Sequence, residues 1–174
     1  EPVNFLVKNL DIGRNLIISA RQSGVKKLIN LGASCMYPRN ISNPLEEKML
    51  LSGKFEPTNE GYALAKVMTA RLCQYVNKEN PDFKFKTMIP CNIYGCFDNF
   101  DPEKSHLVPA IIEKIHSAVQ NKEKTVEIWG DGSARREFMY AGDFADSIFY
   151  SLNNFDEMPN LLNIGVGKDN SIYE

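Results

Sequence analysis

The chain has 174 residues, 43% of them hydrophobic, enough to bury a sizeable core in one domain or slightly more. Twenty basic residues against 22 acidic ones leave a formal charge of −2, which gives no electrostatic footprint for nucleic acid or an anionic membrane surface. No apolar run approaches the ~18 residues needed to span a bilayer, and Cys35, Cys73, Cys91 and Cys96 lack the spacing of a zinc site, so reduced thiols, a cytoplasmic protein and no metal are expected.

In chain order, Phe5, Leu6, Leu10, Leu16, Ile17 and Ala20 recur at helical spacing between residues 2 and 23, with Gly24 as the stop. Lys26 to Leu31 reads as a short buried strand of a parallel sheet, ending in the small residues Gly32-Ala33-Ser34-Cys35. A second helix is predicted from Glu60 to Asn77, with Thr58 or Asn59 available as its cap. Phe83 to Pro90 reads as a strand whose lysines suggest one wetter face, and the Asp- and Asn-rich stretch from Tyr94 to Ser105 as a long loop. Further on come a helix at 107–119, a strand at Val126–Trp129, a turn at Asp131-Gly132, a strand at Glu137–Tyr140, a helix at Ala141–Asn153 and a strand at Leu161–Ile164. Ser171 and Glu174 have capping-box spacing. Strands alternating with helices predict an α/β fold with a mainly parallel sheet, in which ligands collect at the carboxyl ends of the strands.

The pattern Tyr62-Ala63-Leu64-Ala65-Lys66 puts a phenol and an ammonium on one helix face. A Tyr of pKa ~10 is a poor acid or base at neutral pH, and a neighbouring cation is expected to lower that value toward the working range. The Lys can also hold a ribose hydroxyl. Taken alone, Y-x-x-x-K is equally a core Tyr beside a solvated Lys.

The surrounding strings are far more specific. Leu31-Gly32-Ala33-Ser34-Cys35-Met36-Tyr37-Pro38 and Glu56-Pro57-Thr58-Asn59-Glu60-Gly61-Tyr62 are joined by Ile89-Pro90-Cys91-Asn92-Ile93-Tyr94-Gly95 and Ser105-His106-Leu107-Val108-Pro109. Trp129-Gly130-Asp131-Gly132 and Arg135-Arg136-Glu137-Phe138 follow. In this order they resemble the GDP-L-fucose synthases of the extended short-chain dehydrogenase/reductase family. The resemblance implies a Rossmann-like parallel sheet over 1–95, a partial NADP-binding domain, and a smaller partial α/β substrate domain over 96–174 with some elements returning to the first.

It further implies NADP(H) as cofactor and a GDP-4-keto-6-deoxy sugar as substrate, epimerised at C3 and C5 and then reduced at C4. Tyr62 would protonate the C4 alkoxide, with Lys66 tuning it and binding cofactor ribose, while Cys35 and His106 would be the epimerising acid/base pair. Leu31, Gly32, Ala33, Ser34, Pro90, Cys91, Asn92, Ile93 and His106 would contact the cofactor. Lys114, Trp129 and Arg136 would contact the nucleotide sugar. The two long helices, at 2–23 and 60–77, resemble those through which the family forms homodimers.

Two departures qualify the resemblance. Where the family carries a Ser or Thr that polarises the substrate ketone this chain has Ala33, leaving Ser34 as the nearest hydroxyl. No Gly-rich fingerprint follows a first strand, so the expectation is that about the first quarter of the enzyme is absent and that the fragment itself is inactive. Two alternatives stand beside the leading reading: a 4-reductase without epimerase activity, on a GDP-4-keto-deoxyheptose, and a non-catalytic dimerising or binding homologue.

Overall fold

The computed structural model of the chain describes residues 2–101 and 104–174. In order its elements are α1 (Pro2–Gln22), β1 (Lys27–Leu31), a single 3-10 turn at Ser34–Met36 and another at Glu47–Met49, α2 (Glu60–Glu79), β2 (Lys84–Pro90), β3 (Asn92–Tyr94), α3 (Leu107–Gln120), β4 (Arg135–Tyr140), α4 (Ala141–Asn153), β5 (Leu161–Ile164) and β6 (Asp169–Ser171). The fold is α/β, as the alternation of patterns predicts, and it divides into two compact units. The first takes in the chain up to Cys91 together with Ser147–Ile164, and the second Asn92–Asp146 together with Gly165–Glu174.

In the first unit β1, β2 and β5 form a parallel sheet in that order, with Leu31 opposite Met88 and Ile89 opposite Asn163. Parallel strands are buried on both faces, and β2 is buried from Phe85 to Pro90 although Lys86 and Thr87 interrupt its apolar residues. Phe85, Met88 and Ile89 are at most 2% exposed, and each such side chain contributes about 1.5–3 kcal/mol by leaving water. Their neighbours come from the helices: Ile17 of α1 with Cys73 and Val76 of α2 around Phe85, and Ala63, Val67 and Ala70 of α2 around Ile89. At Phe85, ahead of the rungs shared with β5, the Asn77 amide completes the ladder. It accepts from the Phe85 N–H at 2.7 Å and donates to its carbonyl at 2.9 Å. Gly24 ends α1 at φ +75°, a conformation that costs a side-chain-bearing residue.

The wetter face expected of β2 is limited to Lys84 at its start. Lys86 is only 6% exposed, and its ammonium donates to the carbonyls of Phe155 and Met158 while lying 4.8 Å from the Phe155 ring. Those partners lie far along the chain, so local sequence reads a solvated lysine where the fold makes a buried clasp for the chain following α4. Lys27 and Lys84 share Asp156 at 3.2 and 2.5 Å.

In the second unit β3 runs parallel to β4, and β4 antiparallel to β6. The strand expected at Val126–Trp129 does not form: the Glu127 carbonyl accepts from the Lys114 ammonium at 3.0 Å instead of from a strand. The turn at Asp131-Gly132 is present, closed by the Asp131 carboxylate on Ser133 and by Gly132 at φ +73°. Ser171 and Glu174 make the reciprocal bonds of a capping box, at 2.8 and 3.2 Å. Within the long loop expected before Ser105, Pro102 and Glu103 lie outside the described residues. Among the described residues no helix is long and apolar enough to cross a membrane, and no group of three or more metal-ligating side chains gathers.

Replacing Lys86 by Met should leave two inward carbonyls without a donor and lower unfolding free energy by about 2–5 kcal/mol. A shift of the denaturant midpoint at unchanged m-value checks this.

Candidate active site

The residues singled out in the sequence fall into both units. In the first unit the starting point is the end of β1. Gly32 donates its N–H to the Met88 carbonyl at 2.7 Å, prolonging the ladder by one rung. A Cβ at Gly32 would come within 2.9 Å of Met36 Sδ and 3.2 Å of both Met88 O and Ile89 Cγ1, so only glycine lets the chain pass this close to β2. Ala33 follows in extended backbone, and the 3-10 turn Ser34-Cys35-Met36 places Met36 in the core with Cys35 packed at its margin. Ala33 offers no hydroxyl here. Ser34 is half-buried, and its carbonyl accepts from the Tyr37 N–H at 3.2 Å.

Tyr62 and Lys66 occupy successive turns of α2. The start of that helix is held by the Glu56 carboxylate, which accepts from the N–H groups of Thr58 and Asn59 at 2.9 and 3.1 Å. The expected cap by a Thr58 or Asn59 side chain is thus replaced: Asn59 sits at the capping position without a side-chain bond. The Lys66 ammonium donates to the Leu31 carbonyl at 2.9 Å and lies 5.4 Å from the centre of the Tyr62 ring, so both side chains meet at the carboxyl end of β1. Phe5 of α1 packs on the Tyr62 ring at 5.7 Å between centres.

The electrostatics depart from the sequence expectation. Burial pushes the Tyr62 phenol above its usual range, and the nearby Cys35 pushes it further the same way. Lys66 addresses the face of the ring rather than lowering the pKa of the hydroxyl. Burial pushes Cys35 up to about 11, opposed by a backbone hydrogen bond and by the Lys66 charge. Lys66 itself is lowered by burial and raised by Cys35. These couplings place the three groups within one another's electrostatic reach, with the phenol and thiol protonated at neutral pH.

Pro90 ends β2 in register with Ile164, and the Cys91 N–H donates to the Ile164 carbonyl at 2.9 Å. A cleft of about 390 Å³ opens elsewhere, at the amino end of β2, lined among others by Asn77, Phe83, Lys84, Lys86, Asp156 and Asn160. None of the candidate residues lines it. Its amide and charged groups at Asn77, Lys84, Lys86 and Asp156 are already committed to protein partners, so we read it as structural.

In the second unit Asn92 and Ile93 lie on β3, and the Asn92 amide donates to the Glu137 carbonyl of β4 at 2.9 Å. His106 is exposed and caps α3 with its carbonyl, which accepts from the Ala110 N–H. Lys114 and Trp129 come together, the ammonium 4.6 Å from the indole centre. The two adjacent arginines separate in role. Arg135 forks onto Asp169 at 3.0 and 3.1 Å, whereas Arg136 contacts only the Arg135 carbonyl among the described residues and keeps its guanidinium exposed. Glu137 accepts from the Gly167 N–H at 2.7 Å and lies so close to Gly165 that a Cβ there would fall 2.3 Å from its carboxylate.

Sequence reasoning passed over three residues of interest. The Ser105 hydroxyl, next to His106, is buried with no hydrogen-bond partner among the described residues, and adjacency is its only sequence signal. Tyr37 and Asn163 are joined by a 2.6 Å hydrogen bond spanning most of the chain, which no local pattern announces.

Residues 1–165 match the model of the NAD dependent epimerase/dehydratase family. GDP-L-colitose synthase of Yersinia pseudotuberculosis is 54% identical over 173 residues, which cover 99% of this chain and 56% of that protein. GDP-L-fucose synthase of Azorhizobium caulinodans is 52% identical, over 100% of this chain and 55% of its own. The solved GDP-mannoheptose C4 reductase of Campylobacter jejuni with NADP bound superposes at a TM-score of 0.86 with 31% identity, over 99% of this chain and 61% of that one. The chain spans little more than half the length of these curated relatives. With its Rossmann-like parallel sheet and a family match over residues 1–165, the chain belongs to the NAD dependent epimerase/dehydratase family.

Proposed function

We propose that this chain is part of a cytoplasmic, NADP(H)-dependent nucleotide-sugar epimerase/4-reductase acting on a GDP-4-keto-6-deoxy sugar. The observation that carries the reading is the grouping of Tyr62, Lys66 and Cys35 at the carboxyl end of β1. Likeness to GDP-L-colitose and GDP-L-fucose synthases supports the substrate class. The residues present fit a dinucleotide. Lys66 spends one N–H on Leu31 and keeps others for ribose hydroxyls, and Gly32 and Ala33 leave the strand end open to close approach. Leu31 to Ser34, Tyr62, Lys66, Pro90 to Ile93 and His106 would hold the cofactor, which when bound supplies the hydride for C4. In this reading 1–95 is the partial cofactor domain and 96–174 mainly the partial substrate domain.

Cys35 and His106 divide the removal and return of the proton beside the 4-keto group, Cys35 starting from the protonated thiol that burial favours. Tyr62 gives its proton to the C4 alkoxide, and burial, by raising the pKa of the phenol, keeps it loaded for that role. Arg136, with no carboxylate partner among the described residues, offers its fork to a diphosphate, with Lys114 and Trp129 beside the nucleotide sugar. The exposed apolar residues Val3, Ile12 and Leu16 of α1 and Met68 and Tyr75 of α2 support a homodimer through these helices. A second reading, 4-reduction alone on a GDP-4-keto-deoxyheptose, draws on Ala33 and on the likeness to the GDP-mannoheptose C4 reductase. Solvent deuterium retained at C3 or C5 of the product, and lost in Cys35→Ser, rules that version out.

In the intact enzyme Tyr62→Phe should lower the NADPH oxidation rate by about 10²–10⁴-fold. Because the phenol is raised above its ordinary pKa of about 10, wild-type reduction should stay level through neutral pH and decline only as pH climbs through that raised value. Ala33→Ser should raise kcat by up to about 10²-fold with little change in KM, by returning a donor to the developing oxyanion. Arg136→Ala should raise KM by about tenfold or more, the loss of a charged hydrogen bond. Arg135→Ala, by contrast, should leave KM alone, since its exposed guanidinium is already paired with Asp169.

A further inference from the structure

We infer that Tyr37, Asn163 and Glu47 form a clamp that positions the Cys35-bearing turn, a role that rests on Cys35 acting in proton transfer as proposed above. The three residues come from separate stretches of the first unit. Tyr37 closes the 3-10 turn Ser34–Met36, is only 5% exposed, and donates its phenolic O–H to Asn163 Oδ1 at 2.6 Å. Asn163, in β5, donates its amide to the Leu45 carbonyl at 3.0 Å and its main-chain N–H to Glu47 Oε1 at 2.7 Å. Asn163 is thereby committed at its N–H, its amide nitrogen and its amide oxygen, and it stands in register with Ile89 of β2.

The turn carrying Cys35 is tied at both ends. In front, Gly32 is bonded to Met88; behind, the Tyr37 ring is set among Phe55, Ala63 and Ile89 with its hydroxyl anchored to β5. Cys35 lies between these anchors and packs against the same cluster. The Tyr37 phenol is pushed up to about 12, chiefly by burial, so it remains a donor to Asn163 and takes no part in proton exchange itself. Tyr62 and Lys66 are held separately, by α2 and by the bond to Leu31. Loosening the clamp therefore displaces the thiol while sparing the group that protonates C4.

The test is Tyr37→Phe in the intact enzyme, which removes one hydroxyl and keeps the ring in the core. Solvent-deuterium exchange into the 4-keto substrate should fall by about tenfold to a hundredfold, the usual result of small misplacement of a reacting group. Hydride transfer to a 4-keto sugar already in the product configuration should change by less than about twofold. In cofactor-free protein the Cys35 thiol should alkylate about fivefold faster once its turn is freed, with Cys73 unchanged. Glu47→Ala should give the same pattern at smaller amplitude, and Glu47→Gln, which retains an acceptor oxygen for the Asn163 N–H, should behave as wild type. Equal losses in exchange and hydride transfer, or unchanged exchange and alkylation in both Tyr37→Phe and Glu47→Ala, overturn the clamp. Cys35→Ser separates the two ideas: full exchange in that variant sinks the epimerase role of Cys35. The alkylation rate in Tyr37→Phe still reports whether the turn is clamped.

Discussion

The bond from the Lys66 ammonium to the Leu31 carbonyl joins the first turns of α2 to the last residue of β1, and the candidate site is arranged around it. A lysine at a strand end, half out of water, keeps its charge only where acceptors replace lost hydration. One carbonyl does so here, leaving further N–H groups for a ligand. The same ammonium lies against the Tyr62 ring and within electrostatic reach of Cys35, so a single cation stands near both residues proposed to move protons. Burial nevertheless outweighs it, because the ring receives the charge on its face and the thiol sits at the margin of the core. Protonated phenol and protonated thiol are the resting forms, and any thiolate has to be drawn out by what binds.

The second unit solves a different electrostatic problem. Successive residues on a strand point to opposite faces, so Arg135 and Arg136 cannot serve the same partner. Asp169 of β6 claims one, and the other is left with an open guanidinium. Neutralising one member of a basic pair inside the protein is how a strand presents a single cation. Lys114 is likewise placed by non-ionic contacts, a carbonyl and an indole face, which orient it without cancelling its charge.

What the sequence makes legible follows from how local each signal is. α4 and β5 have the predicted bounds, because apolar spacing and flanking turn residues are contained in the segments themselves. β3 and β6 go unseen: each has three residues, and a strand such as Asp169-Asn170-Ser171 exists only because β4 is alongside. Val126 to Trp129 fails in the opposite sense, having strand-like residues and no partner edge. Lys86 and Tyr37 show the same limit among side chains. Each is settled by an acceptor far along the chain, and nothing nearby distinguishes a buried lysine clasp from a solvated charge. Among the candidate residues, the approach of Tyr62 to Lys66 is local geometry and was readable, whereas the direction in which their surroundings move the phenol was not.

Gly165 ties sequence drift in this protein to the strand that carries Arg136. Any side chain there lands on the Glu137 carboxylate, which would have to abandon the Gly167 amide, and Glu137 is the immediate neighbour of Arg136 on β4. An exchange at a loop glycine thus reaches the strand presenting the exposed Arg136 guanidinium. Changes at 165 and 137 should be accepted as a couple more readily than one at a time, so the two positions form an epistatic pair that a survey of single variants would miss.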